Sequence, residues 1–425
     1  MSVALLLLFF LMSAVGIPLA VALGVASTIT LLVYTDIPLS LVAQSMFSSM
    51  NSFIMVAVPL FILAGILMDE GKVAEKIYDF ANALVGWAPG GLGHVNILSN
   101  VIFAGMSGSA VADVASLGAM NIHAMHRNGY PLGYSTGMAL ISSSLATIIP
   151  PSILSVVAGS VANESIGRVL MGGVIPGILI AVSFMIYNYI YCKRRDIGIK
   201  VKFSWSNLIR KTGQAVPALL SPIILMGGIL SGYFTPTEAA GIAVLYTIPI
   251  AIYVYRTVNW SNLPGLLYRT GKMTGTILFI AVTAKIAGWV FEYDGLPVRI
   301  ASFLGSLTHS PLVFMLLIYA FLIVVGMFMD ATAAIYILVP ILLPTVKAMS
   351  IDPVFFLIVL VMALSLGLVT PPVGVCLYAA CNVTGMTLEE VSKHTLVWII
   401  VMATMILLMI LFPGLVLTPL GWFGI

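Results

Sequence analysis

Long apolar stretches, interrupted at intervals by short polar segments, run through almost the whole sequence. Many of them approach the length of about 20 residues that an α-helix needs to cross a bilayer. Strands of about ten residues with alternating polar and apolar positions, which are typical of membrane β-barrels, do not occur. The pattern therefore predicts an all-α integral membrane protein with about 11–12 transmembrane helices.

Two sequence motifs of the first half recur in the second half at the same offset in residue number. A Gly-Met pair begins at Gly105 and again at Gly326, and a Pro-Pro pair begins at Pro150 and again at Pro371. Both spacings are 221 residues. This agreement indicates a duplication, and the repeats of membrane transporters are often inverted relative to each other.

The duplication divides the chain into two repeats and a connector. The connector holds seven Lys and Arg residues against one acidic residue, so the positive-inside rule places it in the cytoplasm and the amino terminus outside. The predicted units are a first repeat at 1–192 (opening helices 1–91, hairpin and broken helix 92–192), the connector at 193–213, and a second repeat at 214–425 (opening helices 214–272, hairpin and broken helix 273–394, C-terminal helix 395–425).

Each repeat contains a pair of short apolar segments around a polar or glycine-containing tip. The first pair is too short for two comfortable crossings, so we predict two re-entrant hairpins whose tips end near mid-membrane. The alternative is a pair of full helices joined by an external turn, and the segments of the second pair are nearly long enough for that. The segments are 92–104 and 110–125 around the tip 105–109, and 311–325 and 331–346 around the tip 326–330.

The Pro-Pro pairs break two otherwise apolar helices. Proline removes an N–H group and leaves backbone carbonyls without helical partners, and such carbonyls can bind a hard cation such as sodium. We therefore hypothesise two sodium sites, each formed by the hairpin tip and the break of one half; the alternative is that Pro-Pro only kinks the helix. The predicted ligands are Gly105, Ser107, Ser109, Leu145, Ile148 and Pro150 in the first half, and Gly326, Asp330, Gly367, Thr370 and Pro372 in the second.

Charged residues within apolar segments indicate functional sites, because their burial is costly. Asp330 could bind a cation, bind a substrate hydroxyl or cap a helix, and Asp113 takes a related position after the first tip or pairs with a polar neighbour. Lys285 could neutralise an anionic substrate or extend to the membrane interface. The predicted substrate-binding residues are Ser109, Asp113, Lys285, Asp330 and Thr332.

Other chemistry finds little support in the sequence. Gly105 and Ser107 form a Gly-x-Ser pattern that could suggest an intramembrane hydrolase, but no histidine lies on a suitable helix. A Walker A motif and cysteine spacings typical of a transition-metal site are absent, and nothing suggests nucleic-acid binding. The sequence therefore predicts no enzyme and no cofactor, with Na⁺ as the coupling ion. Thr235 and Glu238 form a capping box, so this glutamate is expected to start a helix.

Three motifs resemble those of a known family. PLFILAG at 59–65, GYFTPTEAA at 232–240 and VTPPVG at 369–374 are similar to the large membrane subunit of tripartite ATP-independent periplasmic (TRAP) transporters, and the likeness covers nearly the whole chain. It is closest to members that import sialic acid. The resemblance implies a bacterial inner-membrane protein that works with a small membrane subunit and a periplasmic binding protein. It also implies an elevator mechanism, in which hairpins and broken helices slide against a scaffold of opening helices.

The function expected from the residues and the resemblance is sodium-coupled import of an organic acid, with sialic acid favoured. One alternative is a C4-dicarboxylate or another carboxylate carried by the same mechanism. A passive channel, an intramembrane hydrolase and an exporter or antiporter of the same fold are the others. A channel would not need two matched broken helices, whereas the sequence separates import from export poorly.

Overall fold

The protein is helical throughout the part of the chain that the structure describes. The computed structural model describes residues 1–50, 56–71, 73–198, 202–231, 233–308 and 310–422, and no β-strand occurs among them. Seven of the described helices are long and apolar enough to cross a membrane, and five shorter apolar helices accompany them. The predicted all-α, multi-pass membrane fold is therefore confirmed.

The described residues of the first half form twelve α-helices. One predicted apolar helix, near 52–68, begins in residues that lie outside the described part, and its described portion is α4. The helices are α1 (Ser2–Ala14), α2 (Leu19–Tyr34), α3 (Ser40–Met50), α4 (Ala57–Glu70), α5 (Val73–Val85), α6 (Gly91–Ser107), α7 (Ala110–Asp113), α8 (Ala119–Arg127), α9 (Leu132–Ser143), α10 (Ile153–Ala162), α11 (Ile166–Gly172) and α12 (Val174–Arg195).

The described residues of the second half form ten α-helices in a similar order. Helix α13 already begins within the predicted connector, because an N-cap at Ser204 accepts a hydrogen bond from the Asn207 N–H. The helices are α13 (Trp205–Leu230), α14 (Pro236–Pro249), α15 (Leu263–Tyr293), α16 (Leu296–Leu307), α17 (Pro311–Phe328), α18 (Ala331–Ala348), α19 (Pro353–Gly367), α20 (Val375–Thr384), α21 (Leu388–Leu411) and α22 (Gly414–Trp422).

The two halves pack against each other in matched pairs. Among the opening helices, α2 of the first half contacts α15 of the second, and α4 contacts α14. In the hairpin regions, α10 contacts α18, and α20 contacts α7 and α8. Each half therefore completes the packing of the other, as expected of an inverted repeat.

The hairpins have the predicted positions. Helix α6 is followed by α7 and α8, and α17 is followed by α18, with the turns at Gly108 and Asp330. A π-helical turn at Val114–Gly118 joins α7 to α8. Gly105 and Gly326, at the ends of the incoming helices, are both buried. The first tip is buried inside the protein, as a re-entrant hairpin requires, whereas at the second tip Phe328 is 60% exposed and both flanking helices are long enough to cross a membrane.

Both predicted helix breaks are present. Helix α9 tightens into a 3₁₀ turn at Ser144–Thr147, and α10 starts only after the Pro150–Pro151 pair. Helix α19 ends at Gly367, and α20 starts after the Pro371–Pro372 pair. Both Pro–Pro peptide bonds are cis. The first break lies within the buried core, whereas the second lies partly at the surface, because Pro372 is exposed.

Ion pairs and hydrogen bonds fix the two ends of the helix bundle. Lys211 pairs with Asp79 at 2.6 Å, and Arg269, near the start of α15, pairs with Glu70. At the far end of α15, the backbone N–H of Ser2 donates to Asp294 at 2.9 Å. Helix α15 has 31 residues and is therefore about 46 Å long. The basic segments and Ser2 thus lie at opposite ends of the bundle.

The predicted capping box starts α14. The Glu238 N–H donates to the Thr235 hydroxyl oxygen at 3.3 Å, and the Thr235 N–H donates to the Glu238 carboxylate at 2.8 Å. The carboxylate thereby satisfies a backbone donor that would otherwise lack a partner at the helix start. The capping prediction for Glu238 is confirmed.

Candidate functional site

The first tip holds a buried carboxylate. The Ser107 hydroxyl donates a short hydrogen bond to one Asp113 oxygen, and Ser109 caps α7 by accepting from the Ala112 N–H at 3.5 Å. Asp113 is 0% exposed, and its second oxygen, Oδ2, has no hydrogen-bond partner in the described structure. A charged carboxylate buried without a partner is costly, so this tip is a candidate cation site.

The first break lies directly against this tip. A Cβ built on Gly108 would lie 2.6 Å from the Pro151 carbonyl oxygen, and one on Gly105 would lie 3.7 Å from that of Pro150. The structure gives neither carbonyl oxygen a hydrogen-bond donor among the described residues. Two backbone carbonyl oxygens without a described hydrogen-bond donor therefore face the tip that carries Asp113. Carbonyl and carboxylate oxygens are the ligands that hard cations such as sodium prefer.

Two further predicted ligands in this break already have neighbours. The Leu145 carbonyl oxygen accepts from the N–H groups of Ile148 and Ile149, at 3.0 and 2.8 Å. The Ile148 carbonyl oxygen packs against Gly173, where a built Cβ would lie only 2.2 Å away. The Leu145 carbonyl is thus satisfied by the backbone, whereas the carbonyls of Ile148, Pro150 and Pro151 accept no hydrogen bond from a described residue.

The second tip and the second break are held together through the backbone. The N–H groups of Val373 and Gly374 donate to the Met327 carbonyl oxygen at 3.3 and 3.4 Å. A Cβ built on Gly367 would lie 2.5 Å from Gly326, so both positions need glycine for this close approach. The two predicted ligand glycines therefore have a packing role in this structure.

Polar groups cluster around that contact. The Thr370 hydroxyl donates to the Leu366 carbonyl oxygen at 2.6 Å. Asp330 caps α18, because its Oδ1 accepts from the N–H groups of Thr332 and Ala333 at 2.8 and 3.2 Å. Asp330 thus caps a helix, as one of the predicted alternatives has it. The second carboxylate oxygen of Asp330, Oδ2, stays available to a cation or a substrate.

A cavity of about 770 Å³ separates α15 from α10 and α18. Lys285 of α15 lines it together with aromatic, amide and hydroxyl groups, and it forms no ion pair with a described residue. The other lysine of the cavity, Lys347, pairs with Glu164 at 3.2 Å. The polar and aromatic residues that line the cavity include Ser160, Asn163, Lys285, Trp289, Tyr336 and Lys347.

The predicted substrate residues are only partly brought together. Ser109 and Asp113 lie at one tip, Asp330 and Thr332 at the other, and Lys285 stands apart on α15. Thr332 and Tyr336 are one helical turn apart on α18, so the cavity comes within a turn of the second tip. A molecule in the cavity could thus reach Lys285 and the neighbourhood of Thr332, but not the fully buried Asp113.

Comparison with known proteins identifies the family. Residues 6–415 match the model described as "Tripartite ATP-independent periplasmic transporter, DctM component". The chain belongs to the TRAP large permease family. It is therefore the large membrane subunit of a secondary transporter for organic acids, a multi-pass protein of the bacterial inner membrane, and not an enzyme.

Similar TRAP permeases carry different names. The chain is 35% identical to the C4-dicarboxylate TRAP transporter large permease of Pseudomonas aeruginosa, over 95% of this chain and 94% of that one. It is 33% identical to the sialic acid TRAP transporter large permease of Vibrio cholerae, over 94% and 93%. It is also 36% identical to an isethionate TRAP permease, DctMQ, of Oleidesulfovibrio alaskensis, over 96% of this chain but 64% of that protein.

The fold recurs in a solved transporter of low sequence identity. The crystal structure of the YdaH transporter of Alcanivorax borkumensis superimposes with a TM-score of 0.67 and 14% identity, over 97% of this chain and 98% of that one. At this identity the likeness concerns the fold alone. TRAP large permeases work with a periplasmic binding protein and usually with a small membrane subunit, although the longer DctMQ relative shows that the partnership can vary.

The sequence analysis did not predict several buried polar groups of the hairpin regions. The Thr147 hydroxyl of the first break donates to the Ser365 hydroxyl oxygen of α19 at 2.6 Å and so links the halves. A group of buried asparagines and serines lies between α6, α8 and α9. The pair Asn96 and Asn100, four residues apart in an apolar helix, was the signal that could have revealed this group.

Proposed function

We propose that this TRAP permease imports an organic monocarboxylate, with sialic acid favoured, by coupling its movement to sodium. The observation that carries the substrate class is Lys285, which faces the cavity and forms no ion pair with any residue of the described ranges. One unpaired ammonium suits one carboxylate, while Ser160, Asn163 and Tyr336 suit the hydroxyl and amide groups of a sugar acid. The cavity volume lies within the range of about 300–1,000 Å³ that is usual for ligand pockets.

A C4-dicarboxylate is the second candidate within the same mechanism. Its second carboxylate would need a second cation, and Lys347 could serve if it left Glu164. That exchange would leave the Glu164 carboxylate without its partner next to an anionic substrate, which is unfavourable. The existing pair at 3.2 Å therefore supports a monocarboxylate.

The sodium part of the proposal rests on the two pairs of tip and break. Each pair offers backbone carbonyls together with a carboxylate, Asp113 in the first half and Asp330 in the second. Sodium bound there would draw each tip toward its break and so favour one arrangement of the hairpins. A ligand changes such an equilibrium only through its different affinity for the two states, which is how sodium binding would favour substrate binding.

The movement we propose is an elevator step. Helices α6–α10 and α17–α20 would slide as one transport domain against the opening helices α1–α4 and α13–α15. A Cβ built on Gly65 of α4 would lie 3.0 Å from the Ser107 carbonyl oxygen, so the first tip touches the scaffold closely. Small residues at this contact leave the surface smooth enough for one element to move past another.

Two classes of alternative receive less support. The Ser107 hydroxyl donates to a carboxylate and has no histidine beside it, so it lacks the general base of a serine hydrolase. A passive channel would leave the matched tips and breaks without a purpose. The separate small subunit and the periplasmic binding protein remain part of the proposal as the partners of this chain.

A panel of acids tests the substrate class. We would reconstitute the chain with its small subunit and binding protein in proteoliposomes and measure uptake of labelled sialic acid against unlabelled competitors. We expect sialic acid and other sugar monocarboxylates to compete well, and succinate to compete at least about tenfold less well. Succinate uptake in the absence of sialic acid uptake would overturn the proposed substrate and leave the mechanism to be tested separately.

Replacement of Thr370 tests the second sodium site. Thr370→Ala removes one oxygen beside the break, and we expect the sodium concentration for half-maximal uptake to rise about three- to tenfold. Thr384→Ala is a matched control, because the Thr384 hydroxyl also donates to a carbonyl four residues back, at 2.8 Å, but lies away from the break. Equal sodium dependence of the two variants would remove Thr370 from the site.

A further inference from the structure

Helix α12 ends in three consecutive cations, at the end that the positive-inside rule places in the cytoplasm. Lys193, Arg194 and Arg195 are all exposed, and none of them forms an ion pair with a residue of the described ranges. The negative end of the helix dipole attracts all three alike. What distinguishes them is the part of the α12 surface on which each one stands.

Two of these cations are held by a tyrosine one helical turn earlier. The Lys193 ammonium donates to the Tyr189 hydroxyl oxygen at 3.2 Å and lies 5.2 Å from the centre of that ring. Arg195 donates to the Tyr191 hydroxyl oxygen at 3.0 Å, with its guanidinium carbon 4.6 Å from the ring centre. A cation at a membrane interface usually extends away from the lipid into water. Here both side chains fold back along the helix, so each charge stays at the level of a tyrosine ring, where the headgroups of a bilayer lie.

The helix surface beneath Lys193 is apolar and exposed. The residues 4, 7, 11 and 15 positions before it share one face of an α-helix. They are Tyr189, Ile186, Val182 and Ile178, and all four are exposed. From Ile178 to Tyr189 this face is about 16 Å long, which is close to half of the hydrocarbon core of about 30 Å. The face therefore matches the length of one acyl chain in the cytoplasmic leaflet.

The helix surface beneath Arg195 is packed against the protein. Asn188 and Phe184, which lie 7 and 11 positions before Arg195, are both fully buried. The Tyr191 ring is stacked on that of Tyr134 of α9, with the ring centres 4.1 Å apart and the planes 7° from parallel. Arg195 therefore has a tyrosine partner like that of Lys193, but no exposed apolar face beneath it.

A phospholipid with a net negative charge fits both features at Lys193. Its phosphate would balance cations that have no described carboxylate partner, and its acyl chain would cover the apolar face. A free phosphate ion would balance the charge but leave the apolar face uncovered. A zwitterionic lipid would cover the face but place its own ammonium group next to the protein cations, which is unfavourable.

We propose that Lys193 and Arg194 bind the phosphate group of an anionic phospholipid of the cytoplasmic leaflet, with one acyl chain along the exposed face of α12. Tyr189 holds the lysine ammonium at the depth of the phosphate, and Arg194 supplies a second cation beside it. Helix α12 contacts α6, so the bound lipid would be attached to the region of the first hairpin. This inference depends neither on the transported acid nor on sodium coupling.

Lipid binding by the purified complex of this chain and its small subunit tests the proposal. We would add phosphatidylglycerol or phosphatidylcholine of the same chain length to the complex in detergent, and count the bound lipids by native mass spectrometry. We expect the unchanged protein to bind one phosphatidylglycerol about tenfold more tightly than phosphatidylcholine. The double variant Lys193→Gln with Arg194→Gln should lose this preference, and its elution in size-exclusion chromatography would show that it is folded.

Arg195→Gln is the matched control for Lys193→Gln. Each variant removes one cation from the same helix end, and each cation donates to a tyrosine four residues back. We expect Lys193→Gln to weaken phosphatidylglycerol binding about fivefold, and Arg195→Gln to weaken it less than about twofold. Equal losses would show that only the total charge of the helix end matters, and would overturn the site.

Two further measurements separate the lipid from other occupants. Inorganic phosphate in large excess should not displace phosphatidylglycerol, because it lacks an acyl chain; displacement would overturn the assignment to a lipid. Phosphatidylglycerol binding that appears only after removal of the small subunit would show that this subunit covers the face, and would also overturn the proposal. Equal affinity of the unchanged protein for both lipids would do the same, and none of these results would affect sodium-coupled import.

Discussion

Replacing Asp113 by asparagine should abolish sodium-driven uptake while the protein still inserts into the membrane. The asparagine oxygen can still accept from the Ser107 hydroxyl, so the tip keeps its local hydrogen bond. What disappears is the negative charge, which interacts with a cation about 4 Å away by about 4 kcal/mol at an effective dielectric constant of 20. That energy corresponds to a loss of sodium affinity of close to a thousandfold.

The control for this variant is Asp352→Asn. Asp352 caps α19 by accepting from the Val354 N–H at 2.8 Å, and an asparagine can cap in the same way. The Asp352→Asn variant therefore also loses a carboxylate, but one that lies at neither tip. We would compare uptake at saturating sodium, with membrane insertion checked by size-exclusion chromatography of the purified protein. Normal uptake by Asp113→Asn would remove this carboxylate from the ion sites.

The second large effect is expected at Lys285. Lys285→Gln keeps a polar side chain of similar reach but removes the ammonium that we assign to the substrate carboxylate. A hydrogen bond to a charged group contributes about 1.5–3 kcal/mol, so the KM for the acid should rise at least about tenfold. The sodium concentration for half-maximal uptake should change little, because Lys285 lies on α15 and not at a tip.

Lys347→Gln in the same cavity makes this test specific. Lys347 is occupied by Glu164, so its loss should change the KM for a monocarboxylate much less than the loss of Lys285. Similar increases for both variants would favour a dicarboxylate held by two cations. An unchanged KM for Lys285→Gln would instead support the interpretation that this lysine only extends toward the membrane interface.

The hairpins and breaks could be predicted because backbone chemistry marks them in the sequence. Proline and glycine interrupt helices wherever they occur, and the offset between Gly105 and Gly326 located the second set once the first was recognised. The start of α14 was equally accessible, since a capping box is a local pattern. The roles of the predicted site residues are less accessible and stay predictions, because Asp330 can cap a helix and bind an ion with the same carboxylate.

The cavity could not be predicted, because it depends on helices that are distant in the sequence. The cavity is lined from α3, α10, α15 and α18, and only their packing shows that, within the described part of the chain, Lys347 has an ion-pair partner and Lys285 has none. Single polar residues such as Asn121 also look unremarkable in an apolar helix. Their meaning appears only when α6, α8 and α9 bring several of them together.

The most direct test of sodium-coupled import is accumulation against a gradient. Proteoliposomes that contain this chain, its small subunit and the binding protein would receive labelled sialic acid with an inward sodium gradient, or with equal sodium on both sides. The account predicts transient accumulation above the external concentration only with the sodium gradient, and loss of that accumulation in Asp113→Asn. Equilibration to the external concentration that is the same with and without the gradient would contradict coupling and indicate a passive pathway.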